Sequence, residues 1–67
     1  MYISLKKANQ IAKVKVPGIP WNRTRLIEWF KKKGYRMNTM GEERGTRYYL
    51  HSDDLHALLD DIKAGKA

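Results

Sequence analysis

Apolar side chains recur along the chain first with a helical period, then with a strand period, then with a helical one again. Leu5, Ala8, Ile11 and Ala12 fall three and four residues apart, while Lys6, Lys7, Asn9 and Gln10 take the wet side. Ser4 precedes them as a candidate N-cap, behind a short β segment at Tyr2-Ile3, so a helix of about two turns is predicted. The stretch Lys13-Val14-Lys15-Val16-Pro17-Gly18-Ile19-Pro20 is expected to end it, because each proline removes a donor and biases the residue before it to extended backbone. Val16 and Ile19 are expected to plug the core from that turn. Asn22 then stands as the N-cap of a second helix that closes at Gly34, a residue suited to the left-handed position that ends many helices. A rotation of 100° per residue sets Leu26, Ile27, Phe30 and the stem of Lys33 on one arc, with Thr24, Arg25, Glu28, Lys31 and Lys32 on the other.

Beyond Gly34 the pattern changes to alternation. Tyr35–Met40 and Thr46–His51 read as two strands joined by Gly41–Gly45, whose flanking glycines suit a hairpin loop with bulge geometry. Alternation turns Tyr48 and Leu50 inward and Arg47, Tyr49 and His51 outward. Ser52 is predicted to cap a last helix with Asp53 and Asp54 in its first turn and Leu55, Leu58, Leu59 and Ile62 as its core stripe. Residues 64–67 are expected to fray, leaving a single domain over residues 1–63. Short strand, helix, turn, helix, hairpin and closing helix together predict an α+β fold, the small winged helix-turn-helix.

Composition narrows the possibilities. A chain of 67 residues holds one small core and leaves little room for an enclosed active-site cavity. With no cysteine there is neither a disulfide framework nor a thiolate zinc site, which fits a reducing, cytoplasmic setting. No apolar run exceeds three residues, so no transmembrane helix or secretory signal core is expected. His51 and His56 flank a helix start without a metal-ligand pattern, so neither enzyme, metal nor cofactor is expected.

The charge is unevenly placed. Residues 1–51 carry twelve Lys/Arg against three acids, a net +9, whereas residues 52–67 carry four Asp against two Lys, a net −2. Such segregation suggests an anionic partner, and the element order directs it to double-stranded DNA, with the second helix in the major groove and the wing on the adjacent backbone or minor groove. On the second helix, Arg25 could fork onto a guanine edge and Thr24 could touch a thymine methyl or a phosphate. Asn22 is foremost a cap, at a helix start whose amides also suit phosphate; Arg23 belongs to the same end. Glu28 could accept from a cytosine amino group, although an ion pair with Lys32 at i, i+4 is the preferred expectation. Lys31 and Lys32 suit phosphates and also oppose the helix dipole. Arg44, Thr46 and Arg47 are the wing candidates, and Lys13 and Lys15 the phosphate candidates of the turn. Trp21 and Trp29 are expected to pack rather than stack on bases, since a duplex offers no free base.

Two groups of proteins share these features. Val16-Pro17-Gly18-Ile19-Pro20, a helix ending Lys32-Lys33-Gly34-Tyr35-Arg36, a Gly-bounded wing and Arg47-Tyr48-Tyr49-Leu50 with Leu55 five residues on resemble the N-terminal winged-helix domain of phage Mu-type transposases and repressors. Met1-Tyr2-Ile3-Ser4-Leu5 and Gly45-Thr46-Arg47-Tyr48-Tyr49-Leu50-His51 look like lambda-type excisionases, small basic winged-helix proteins of similar length. The resemblance implies a DNA-binding protein of a phage or mobile element. On the excisionase pattern it would bind and bend DNA beside integrase sites and recruit the recombinase; on the Mu pattern it would be a repressor. Several copies on clustered sites, with self-association on DNA, are expected because one module of roughly 600–1,000 Å² seldom provides enough affinity alone. Lys31-Lys32-Lys33-Gly34-Tyr35 before a strand is faintly similar to small RNA-cleaving toxins of the HicA type, but the Gly-Ser-His context of that family is missing. An RNA-binding module would expose aromatics on its sheet, for which Tyr49 is the good candidate. A membrane-surface role is disfavoured, because no helix pairs a broad apolar face with a continuous basic one.

Overall fold

The alternation of periods folds as β1 (Tyr2–Ser4), α1 (Leu5–Lys15), α2 (Arg23–Lys33), β2 (Met37–Glu42), β3 (Gly45–His51) and α3 (Ser52–Lys63). The structure, a computed structural model, describes residues 1–42 and 45–66. The strands form one antiparallel sheet in the order β1-β3-β2, so β3 is central although it is the last strand in sequence. Three helices and a three-stranded antiparallel sheet make this a small α+β fold with the element order of a winged helix.

Local chemistry explains the boundaries. Ser4 caps α1, its Oγ accepting from the Lys7 amide at 3.2 Å. Contrary to the two-turn expectation, α1 runs through Lys13, Val14 and Lys15 to a cap at Val16. Pro17 restricts the residue immediately before it, and the three upstream residues remain free to stay helical. Gly34, at φ 68°, ends α2: its amide donates to the Lys31 carbonyl, and the Tyr35 amide donates to the Phe30 carbonyl at 3.0 Å. The Tyr35 ring then meets Phe30 edge-on at 5.4 Å, the apolar contact that accompanies such a cap. A matching closure follows α3, where the Gly65 and Lys66 amides donate to the Ile62 and Asp61 carbonyls.

Two further expectations are corrected. The hairpin strands extend to Glu42 and Gly45, and the ladder runs without a bulge from Met37↔Leu50 to Glu42↔Gly45. Gly41 and Gly45 thus belong to strands, and Glu43 and Arg44 of the expected loop lie outside the described residues. At α3 the cap is His51, whose Nδ1 accepts from the Asp53 amide at 3.3 Å, and Ser52 is already helical.

The core joins every layer. Leu5, Ala8 and Ala12 of α1, Leu26 and Phe30 of α2, Leu50 of β3 and Leu55, Leu58 and Leu59 of α3 are buried together with Trp21. Leu50 lies opposite both Ile3 and Met37 on the inward face of the sheet, and Tyr48 packs against the same core. The turn between α1 and α2 is built into this core. Trp21 donates its indole N–H to the Val16 carbonyl at 2.8 Å and tilts against Trp29 at 5.3 Å, while Val16 and Ile19 pack inward as the sequence suggests. Among the described residues no helix is long and apolar enough to cross a membrane.

Candidate nucleic-acid interface

The fold distributes the expected contact residues over three places. The first is the exposed arc of α2. Thr24, Arg25, Glu28, Lys31 and Lys32 are all exposed on it, because Leu26 and Phe30 hold the opposite arc in the core. Asn22 fixes where the arc begins, its Oδ1 accepting from the Arg25 amide at 2.8 Å. Arg25 turns back along the helix start and donates its Nε to the Pro20 carbonyl at 3.2 Å, which ties the guanidinium to the preceding turn and limits its freedom. Arg25, Glu28, Trp29 and Lys32 line a shallow depression of about 190 Å³. The expected Glu28–Lys32 pair does not form, whereas Arg36 pairs with Asp54 at 2.9 Å. The acid therefore stays available on a cationic arc, able to accept a hydrogen bond.

The second place is a cavity of about 420 Å³ where the starts of α1 and α2 meet β3. Arg23 and Arg47, 24 positions apart in the chain, line it together, joined by Lys6, Asn9 and Tyr49. Arg47 sits opposite Met40 in the ladder and is engaged in an interaction of its own. Thr46, opposite Gly41, is exposed nearer the hairpin end. Arg44, the expected wing-tip contact, lies outside the described residues.

The third place is the far end of α1. Lys13 and Lys15 are helical residues rather than turn residues, which corrects their expected position. Lys13 is exposed, whereas the Lys15 ammonium donates to Nδ1 of His56 on α3 at 2.8 Å. An ammonium carries only donors, so Nδ1 is the acceptor of that bond. Lys15 thus bridges two helices, apart from Arg23 and Arg47.

Arg36 is removed from the basic surface in a comparable way. Its guanidinium forks onto Asp54 at 2.9 and 3.1 Å, and its backbone amide donates to the same carboxylate at 2.7 Å. The guanidinium bonds, followed by the backbone bond, lower the Asp54 carboxyl from 3.8 to about 2. This clamp fastens the start of the wing to the first turn of α3.

Lys6 and Asn9 are lining residues that sequence reasoning passed over, and Tyr49, weighed there as a stacking aromatic, lines the same cavity. Lys6 and Asn9 were assigned to the wet side of α1, yet Asn9 is half-buried. Their i, i+3 spacing next to Leu5 and Ala8 was the available signal, since it places them along the edge of the buried stripe. Among the described residues no cluster of three or more His, Asp or Glu is gathered that could hold a metal ion. Comparison of the chain with family profiles, characterised proteins and solved structures returns no match.

Proposed function

We propose that the chain is a sequence-preferring double-stranded DNA-binding protein that docks α2 in the major groove and lays the β2–β3 wing beside it. The observation that carries this function is the exposed arc of α2, on which Arg25, Lys31 and Lys32 surround Thr24 and Glu28, backed by a buried apolar arc that leaves the helix free to enter a groove as a rigid rod. Arg25 and Glu28 are suited to base edges, and Lys31 and Lys32 to phosphates. As a biological role we favour a phage or mobile-element excisionase that binds and bends DNA beside integrase sites, with an integrase and further copies of itself as partners. The Val16–Pro20 turn, held by the Trp21 indole, favours a Mu-type repressor as the second role.

Titration onto duplexes carrying the attachment or operator region of its element, at several salt concentrations, tests the function. Affinity is expected to fall linearly on a log–log plot with a slope of about −0.9 per phosphate neutralised. A flat salt response, or equal affinity for every sequence, overturns it. An integrase gene beside the coding sequence supports the excisionase role, and a divergent promoter with a transposase gene supports the repressor.

A further inference from the structure

The cavity between α1, α2 and β3 carries an inference beyond the α2 arc. We propose that it seats a phosphate of the DNA backbone, held by Lys6, Asn9 and Arg23, so that the duplex is anchored at the helix starts as well as along the α2 face. The proposal rests on the duplex-binding function above and names a contact that the arc alone does not contain.

Four observations converge. Lys6 and Arg23 come from two different elements to line one cavity, and among the described residues no carboxylate lines it. Like charges gathered without a counter-charge repel one another, and an anion between them reverses the sign of that interaction. Second, α1 begins at Leu5 and α2 at Arg23, both residues bordering or adjoining the cavity, so two positive helix-dipole ends face the same region. Third, neither helix has an acidic residue in its first turn, whereas α3 has Asp53 and Asp54 there, so those two ends lack the compensation that the third helix possesses. Fourth, Oδ1 of Asn9 is buried without a hydrogen-bond partner. Buried polar atoms are nearly always paired. Asn9 lines the cavity, so rotating its carboxamide outward relieves Oδ1 and presents the Nδ2 hydrogens to a phosphate oxygen seated there. Cations and an amide donor arriving from several directions suit a tetrahedral oxyanion better than a planar carboxylate. Arg47 already has an interaction, and the seat requires only Lys6, Arg23 and Asn9.

The test uses the full chain, a mixed-sequence 20-base-pair duplex and, separately, inorganic phosphate against a chloride control. Lys6→Gln and Arg23→Gln are each expected to reduce the steepness of the salt dependence by about 0.9 and to weaken all duplex sequences alike. Circular dichroism verifies that both variants fold. In NMR spectra, inorganic phosphate is expected to shift the Asn9 side-chain amide and the Lys6 and Arg23 backbone amides while leaving α3 unmoved, and Lys6→Gln is expected to diminish those shifts. If the wild type binds duplex with a steep salt response and both variants keep its slope, the phosphate seat is overturned and duplex binding stands. If the duplex does not bind but phosphate moves Asn9 in a Lys6-dependent way, the cavity takes a free phosphate, and the DNA anchor fails together with the duplex function. If neither probe binds, both proposals fall.

Discussion

Helices α2 and α3 are built on the same apolar plan and differ in almost everything else. Each spans about three turns and buries a stripe of large side chains, Leu26 and Phe30 in one, Leu55, Leu58 and Leu59 in the other. Yet α3 opens with Asp53 and Asp54 and closes with one lysine, while α2 has no acid in its first turn and three lysines in its last. The difference shows which part of a helix specifies packing and which part is left for function. The buried stripes hold both helices to one core, and the outer faces, released from that duty, carry opposite charge.

The largest expected effects should not distinguish the helices at all. Phe30→Ala in α2 and Leu58→Ala in α3 are each expected to destabilise the fold by about 2–5 kcal/mol, through lost burial and the cavity left behind. Urea unfolding measures this, and a loss below about 1 kcal/mol at either site would break the claim of a shared core.

The outer faces should then separate. Arg25→Ala is expected to lower discrimination between preferred and unrelated duplexes by about 1–3 kcal/mol, whereas Lys31→Ala weakens every sequence alike. Asp60→Ala, on the exposed side of α3, should leave base preference unchanged. Competition binding with two duplexes reads all three, and an unaltered preference in Arg25→Ala would mean that α2 docks in another register.

A pH series sharpens the electrostatic half of the comparison. Asp54 has its carboxyl lowered from 3.8 to about 2, so its contribution to stability is fully present above the unfolded value and is lost as pH falls from about 4 towards 2. The Arg36 side chain is 55% exposed and the Asp54 side chain 17%, so solvent screening reduces the contribution to about 1–2 kcal/mol. Asp54→Asn is expected to be less stable than the wild type by that amount at pH 7 and nearly equal to it at pH 2. A pH-independent difference would show that the clamp acts through packing. The smallest effect is the cap: Asn22→Ala should cost about 1 kcal/mol of stability, read as a lower urea midpoint at unchanged m-value.

Much of the fold was legible in the residue pattern. Local signals placed Ser4 and Asn22 as caps, Gly34 as the end of α2, and the leucine stripe of α3, because each depends on neighbours within about one helical turn. The misses came where local signals competed. The lysine-rich segment before Pro17 continued α1, since proline constrains its predecessor more than residues further back. At α3, His51 took the capping role from Ser52, the residue type with the stronger preference, because the pairing of β1 with β3 brings the carbonyl of Met1 to the Ser52 amide at 2.7 Å.

The candidate interface divides along the same line. Periodicity alone determined the exposed arc of α2 and the separation of a +9 segment from a −2 segment, because a helix presents its faces by spacing and charge is read by counting. Only the tertiary structure decided which cations remain on that surface. It gave Arg36 to Asp54 across 18 positions and Lys15 to His56 across 41, and it brought Lys6, Asn9, Arg23 and Arg47 around one cavity. Those partnerships depend on how α1, α2 and α3 pack around the central strand, and that packing is set by the buried core, whose long-range contacts no local spacing encodes.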